Sequence, residues 1–413
     1  MIKILIFAPY IYPEQIASSH LDNNLNEAYD KASFRRVMFV PIPCRGISES
    51  VKRRYRKIRY EERSGGLEII HRFWMFDEGK NSLQRACRYL LCSFVQLWKG
   101  CFSKYSKECN IITAGSTPPI QGAIAAIVKK YKKIPFVYIL QDIFPDSLVS
   151  VGFAKRDGLV WKLGRAIENF TYRNADKIIV ISEDFKKNIM AKGVPEDKIV
   201  VVYNWVDQQA VVDVPREKNK LFDKYGLDRS KFYITYNGNI GLSQNMEMLI
   251  EVAQSLETNK EIQFVLVGNG AYLEQVQQNI KDRNIGNVTL LPFQPYEDIS
   301  HVFSLGDVSL VISKPGVGAN SVPSKTWSIM SASRPVLANF DENELKTIIE
   351  ENNCGIFTKA GDKVAFTNAI LKLYNDRELC KEMGKNGRKF VMDNLTKEVG
   401  TQKYVDVIKS FEK

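Results

Sequence analysis

The sequence predicts an α/β protein made of two doubly wound, Rossmann-like domains. Three observations predict this. The chain has 413 residues, too many for one ordinary core. Short β-branched runs alternate with helical segments in both halves. Most of these runs are continuously apolar, as in parallel strands buried on both faces by helices.

In the first half the strand runs fall at 2–8, 37–41, 69–74, 111–114, 136–140, 178–182 and 200–203. In the second half they fall at 233–236, 263–267, 288–291, 308–312 and 335–339. Between the halves, NWVDQQAVVDVPREKNK turns polar and loses periodicity. The expected domains are therefore 1–207 and 208–395. A closing helix, 396–413, is long enough to cross back onto the first domain. Ligands of open α/β sheets sit beyond the carboxyl ends of the strands, so two such domains facing each other would leave a cleft between them.

Charge divides the chain more sharply than hydropathy. The net charge is +11, yet residues 1–207 hold 33 Lys and Arg against 21 Asp and Glu, and residues 208–413 hold 25 against 26. The basic excess belongs to the first half and should draw it to something anionic. Nucleic acid is the poorer partner, because no recognised binding module appears. Seven cysteines with no C-x-x-C pair point to reduced thiols in a cytosolic protein and away from a zinc site. MIKILIFAPY is too short for a signal peptide and reads as a first buried strand. No run reaches the ~18–20 apolar residues that span a bilayer, so any membrane contact is expected to be peripheral.

The basic residues concentrate in VKRRYRKIRYEER and in Lys129, Lys130, Lys132 and Lys133. Between them, LQRACRYLLCSFVQLWKGCF reads as a helix. Leu83, Leu90, Phe94, Leu97 and Cys101 share one face, with Arg85, Arg88, Gln96 and Lys99 elsewhere. With Trp98 and Phe102 nearby, that helix suits a lipid interface. It equally suits a core-packing helix with a solvated basic side.

Three glycine loops in the second half each follow a strand: YNGNIGLSQN with Gly238 and Gly241, VGNGAYLEQ with Gly268 and Gly270, and SKPGVGANSVPSK with Gly316 and Gly318. Tight βα turns need glycine in any case. Three at successive strand ends nevertheless converge on one sheet edge, where a nucleotide would lie. The third loop leads through Ser321, Pro323 and Ser324 into a helix beginning near Lys325. A helix start offers free N–H donors and partial positive charge to a diphosphate. Asp142 and Asp146, in LQDIFPDSLVSVGF, stand after the strand that ends at residue 140. They suit hydrogen bonds to a ligand's hydroxyls or uptake of a proton, and equally the turn and cap chemistry of a helix start. No D-x-D pair is present.

The order NWVD, YNGNIG, VGNGA, LPFQP, DVSLVI, PSKTWSIM, RPVLA resembles the retaining GT-B glycosyltransferases of glycosyltransferase family 4. IYPE, QDIFPDSLVSVG and NADKIIVISEDFKKNI extend the likeness across the first half, toward the bacterial O-antigen and capsule branch of WbuB-like L-fucosamine transferases. The resemblance implies a GT-B fold and a nucleotide-sugar donor, most often UDP-linked, bound by the second domain; with no D-x-D pair present, it also implies a site that needs no metal and no cofactor. The acceptor is expected to be a lipid-diphosphate-linked saccharide at an anionic membrane surface, on the inner face of the cytoplasmic membrane. Pro292, Phe293 and Gln294 would flank the base. Asn237, Gly238, Asn239 and Gly241 would approach the diphosphate, with Gly268, Gly270 and Gly318 in the neighbouring loops. Ser324, Lys325 and Thr326 would sit under the same phosphates, Lys325 offsetting charge on the leaving group. The loop after the first strand, with Ser18, Ser19 and His20, would close from the other side.

The sequence departs from the family at several places, among them Ala17, Ser18, Ser19 and His20 where a Gly-Gly pair is usual and Gln141 and Asp142 where a histidine is common. Asn239 and Gln244 stand where an arginine and a lysine are usual, and Asn320 and Ser328 where paired glutamates are usual. Lys314 and Lys325 are expected to supply the missing phosphate charge. Two rival readings stay open: a GT-B UDP-sugar 2-epimerase, which the three histidines disfavour, and a non-catalytic nucleotide-sugar-binding subunit, which the lost charges keep alive.

Overall fold

The computed structural model describes residues 1–14, 19–78, 82–150, 154–318 and 322–412. The chain forms two compact units, one of Met1–Tyr203 with Gly400–Lys413, the other of Asn204–Val399.

The first unit carries an eight-stranded sheet. Its strands are β1 (Lys3–Phe7), β2 (Arg35–Pro41), β3 (Tyr60–Arg63), β4 (Glu68–Phe73), β5 (Ile111–Gly115), β6 (Phe136–Leu140), β7 (Lys177–Val180) and β8 (Ile199–Val201), ordered β3-β4-β2-β1-β5-β6-β7-β8. All pairings are parallel except β3 with β4, where Glu62 stands opposite Ile69. One face buries Leu5, Val37, Ile112, Phe136 and Ile178 beneath helices. β3 was not expected. YEER is short, half-exposed and charged, and it forms because Arg63 and Arg72 both pair with Glu61 (2.7 and 2.5 Å) along the β4 edge. Part of the basic run is thereby consumed in structure.

The second unit carries β9 (Phe232–Asn239), β10 (Ile262–Asn269), β11 (Val288–Leu291), β12 (Val308–Ile312), β13 (Val336–Phe340) and β14 (Gly355–Lys359). They lie in the order β11-β10-β9-β12-β13-β14, all parallel. β14 was not expected either: GIFTK leaves Ile356 and Phe357 half-buried, buries only Gly355 and Thr358, and ends in an exposed lysine. The strand order reverses between β9 and β12. The carboxyl ends of those two strands form the switch point at which open α/β sheets bind ligands.

Among the described residues, no helix is long and apolar enough to cross a membrane.

Candidate functional site

The switch point is built from polar residues that the protein itself leaves unpaired. β9 ends in Asn237, Gly238 and Asn239, and β12 runs out into Ser313 and Lys314. Lys314 N–H donates to the Ser243 carbonyl (2.8 Å) and ties the two strand ends together. Asn237 is buried, and neither Oδ1 nor Nδ2 has a protein partner. Ser313 Oγ and Thr326 Oγ1 are likewise buried without one. An unmet buried polar group costs about 1–3 kcal/mol, so such groups at the ends of β9 and β12 and in the first turn of the helix Lys325–Ser331 suit a polar ligand.

Lys325 stands over the same edge. It opens the helix Lys325–Ser331, and its ammonium lies 3.9 Å from the centre of the Tyr236 ring. A Cβ on Gly238 would come within 3.4 Å of Nζ. The side chain lies deep among protein atoms, yet part of it remains open to solvent. Burial, with no carboxylate opposing it, pushes the amine down from 10.5 to about 7. Such an amine recovers its charge when an anion arrives. Gly238 adopts φ 128°, a conformation that excludes side chains and lets the β9 end pass close beneath Lys325.

The glycine loops themselves behave otherwise than expected. The N–H groups of Gly316 and Gly318 both donate to the Asp341 carboxylate (2.9 and 2.7 Å). The Gly241 N–H donates to Gln244 Oε1 (3.1 Å). The expected phosphate donors of these loops are already bonded within the protein. Ser324 makes no side-chain cap, and the helix it precedes has seven residues, so its dipole is small. The phosphate-seat reading therefore narrows from loop and helix start to Lys325. Gly268 and Gly270 serve packing: a Cβ would fall 1.9 Å from the Gly238 carbonyl and 2.2 Å from that of Ile240.

The base-flanking segment divides. Phe293 is 76% exposed beyond β11, and Pro292 is exposed beside it. Gln294 is buried and saturated. Its Nε2 donates to Tyr225 Oη and to the Pro292 carbonyl (2.8 and 2.6 Å), and its Oε1 accepts from Lys224 (3.0 Å). Gln294→Ala is therefore expected to lower unfolding free energy by about 1–3 kcal/mol, measured by urea titration. Of the remaining positions, Asn239 and Ser324 are exposed, and Pro323 and Ser328 are half-buried. Lys314 is exposed, 5.8 Å from the Tyr272 ring centre. Ser18, Ser321 and Asn320 lie outside the described residues, as does the side chain of Ser19.

In the first unit, Asp142 and Asp146 stand beyond β6 but differ in their engagements. Asp146 opens the helix Asp146–Ser150 and binds Lys192 (2.7 Å), which also binds Glu168 (3.1 Å). That carboxylate is spent on structure. Asp142 accepts from Ser147 Oγ (3.1 Å); its surface is open to solvent, yet desolvation by the surrounding turn pushes the carboxyl up against the lowering effect of that hydrogen bond. Its backbone N–H and that of Gln141 both point at Ser116 Oγ (3.0 Å each).

Tyr236, Ser313 and Asp341 were not singled out from sequence. Tyr236 was legible, because the period of two puts it on the same side of β9 as Gly238. Asp341 was not. It lies 23 residues from Gly318, and only the β13 end brings it to the loop.

Among the described residues, no three His, Cys, Asp or Glu side chains gather as a metal site. The glycosyl transferases group 1 family profile matches residues 217–390. The glycosyltransferase family 4 profile matches residues 80–210. WbjE of Pseudomonas aeruginosa, named a probable glycosyltransferase, is 24% identical over 74% of this chain and 75% of its own length. WcaI of Escherichia coli K12, whose name refers to colanic acid biosynthesis, is 29% identical over 46% of this chain and 48% of its own. Anabaena HepE, solved with UDP and glucose, superposes with a TM-score of 0.72 at 16% identity, covering 99% of this chain and all of that one. Sucrose-phosphate synthase from Thermosynechococcus elongatus gives 0.75 at 15% identity over 99% of both chains. Two Rossmann-like units of GT-B architecture and these two adjoining matches lead to one conclusion: the chain is a glycosyltransferase of GT-B fold, similar over residues 80–210 to glycosyltransferase family 4 and over residues 217–390 to the glycosyl transferases group 1.

Proposed function

We propose that the protein moves a sugar from a UDP-linked donor, with an N-acetylated deoxyamino sugar as the first candidate, to a hydroxyl of a lipid-diphosphate-linked glycan. The pathway would be bacterial surface polysaccharide synthesis of the O-antigen or capsule kind, at the inner face of the cytoplasmic membrane. The observation that carries the donor reading is Lys325, deep over the β9 end against Tyr236 and Gly238, with buried and unpaired polar groups on Asn237 and Ser313 at the two strand ends and on Thr326 in the helix. The polysaccharide setting is supported by the names of WbjE and WcaI, and the choice of UDP by HepE.

In this reading Lys325 takes up the charge that grows on the leaving diphosphate, and no metal is required. Activity should then survive excess EDTA. The reaction retains anomeric configuration, and the leaving oxygen accepts the acceptor proton, so no protein base is needed. Proton NMR of the product's anomeric coupling tests retention. Phe293 stacks on the base. Phe293→Ala is expected to raise donor KM about tenfold, from a stacking contribution of about 1–3 kcal/mol per base, with thermal stability unchanged.

The deciding experiment is a thermal-shift screen with UDP, GDP and their sugars, since a ligand that binds only the folded state raises the transition by mass action. A UDP-specific rise is expected. No shift with any nucleotide overturns the donor site.

A further inference from the structure

The helix Ser82–Phe102 of the first unit buries polar side chains among Cys92, Val95 and Cys101 and turns its largest apolar ones outward. Arg88, Ser93 and Gln96 face inward and are 2%, 1% and 0% exposed. Gln96 donates to the carbonyls of Ala8 and Phe39 (2.9 and 2.8 Å) and accepts from Gln121, and Arg88 donates to the Phe76 carbonyl. The outward stripe is Leu91, Phe94, Trp98 and Phe102, exposed by 50%, 65%, 61% and 52%, with Leu90 beside it. The expected apolar face is thereby corrected. Cys101 is buried and Leu97 half-buried, while Arg88 and Gln96 take core positions.

The apolar stripe continues onto neighbouring helices of the same unit. The helix Ile120–Lys132 packs beside the first, and Leu159–Asn174 packs beside that one. Phe102 sits between Trp98 and Tyr131, with ring centres 4.7 and 5.3 Å apart. Ile127 and Tyr131 are exposed on the middle helix, and Leu159, Val160 and Leu163 on the third. Through Phe102 and Tyr131 the exposed apolar side chains of the first two helices join into one patch of the kind that marks an interaction surface, and the third helix adds exposed apolar residues of its own.

Cations are interleaved with the patch. Residues 82–133 contain nine Lys and Arg and one acidic residue, Glu108. Arg85, Lys130 and Lys133 are exposed around the first two helices, and Lys155, Arg156 and Lys162 around the third. A second copy of this chain would oppose like charges across such a face, which disfavours it as the occupant. Apolar and aromatic residues with basic neighbours match the headgroup boundary of an anionic bilayer, where rings bury and lysine stems reach the phosphates.

We infer that the joint face of the helices Ser82–Phe102 and Ile120–Lys132 docks the protein on an anionic lipid surface, with Leu91, Phe94, Trp98 and Phe102 entering the headgroup boundary. The inference gives a location to the membrane contact proposed above. The full-length protein and a Phe94→Ser/Trp98→Ser double variant should be sedimented with phosphatidylcholine vesicles, with and without phosphatidylglycerol. The unaltered protein is expected to pellet with the anionic vesicles and leave them at high salt. The double variant should partition at least tenfold less, with the same melting temperature and the same response to UDP. A variant that pellets like the parent, or a parent that stays in the supernatant, overturns the inference. So does sedimentation velocity showing a dimer that the variant loses. The UDP response reports on the donor site without lipid, so failure of that reading is seen separately. A Trp98→Phe variant adds a fluorescence check: the blue shift on vesicle binding should vanish with that one residue.

Discussion

Lys325→Ala is expected to lower kcat/KM by about 10²–10³, the loss of about 3–4 kcal/mol typical when one preorganised stabiliser of transition-state charge is removed. The loss should appear mainly in kcat, because the charge that Lys325 meets is greatest as the glycosidic bond breaks. The displaced pKa adds a stronger signature. In the free protein the amine titrates near 7. Bound diphosphate would favour its charged form and raise that value. Donor binding above pH 7 must then take up a proton. UDP affinity should be level just below pH 7 and should weaken toward pH 9, and calorimetry in buffers of different ionisation heat should count the proton. Lys325→Arg keeps a fixed charge and should flatten the dependence. An unaltered pH profile in the arginine variant would sink the assignment.

The same residue should cost stability in the unliganded protein. The folded pKa lies below the unfolded one, so the unfolded chain binds more protons between about pH 7 and pH 10.5. Stability contributed by this site therefore rises with pH through that window, and the penalty is complete below pH 7. Lys325→Met should raise the melting temperature at pH 6 and lose its advantage by pH 10. A site that is destabilising when empty and essential when occupied is the expected compromise of a functional group.

Gly268→Ala is expected to destabilise the second unit by about 2–4 kcal/mol, more than ordinary overpacking, because the obstacle is backbone. The added Cβ would fall 1.9 Å from the Gly238 carbonyl, where β9 and β10 run in register through Gly238 and Gly268. The strands must part, and the β9 end carries Asn237 and Gly238 with it. Both a lower melting temperature and a higher donor KM should follow. Gly286→Ala is the control: its Cβ meets only the flexible end of Glu257 at 3.2 Å, and a change below about 0.5 kcal/mol is expected. Equal losses in both variants would show that the β9–β10 approach has no special weight.

The architecture was legible because burial leaves a local mark. A strand covered on both faces must be apolar along its length, and twelve such runs were visible in the sequence. β3 and β14 escaped because each is short and partly exposed, and their pairing depends on neighbours rather than on their own pattern. The lysine was legible for a similar reason, since Pro-Ser-Lys after a glycine loop announces a helix start. Which donors face a ligand was not legible. Asp341 takes two loop N–H groups, Gln244 takes a third, and Lys192 neutralises Asp146, each through a residue whose sequence gives no sign of its partner.

The sequence by itself determined the two α/β units, the basic first half and the lysine at the end of the third glycine loop, because periodicity, composition and turn chemistry act over a few residues. Only the tertiary structure decided which polar groups remain unpaired at the β9–β12 switch point, that Lys325 titrates near neutrality, and that Arg88 and Gln96 turn inward while Phe94 and Trp98 turn out. The physical reason is that hydrogen-bond satisfaction and desolvation depend on every atom within a few ångströms, and those atoms come from segments far apart in the chain.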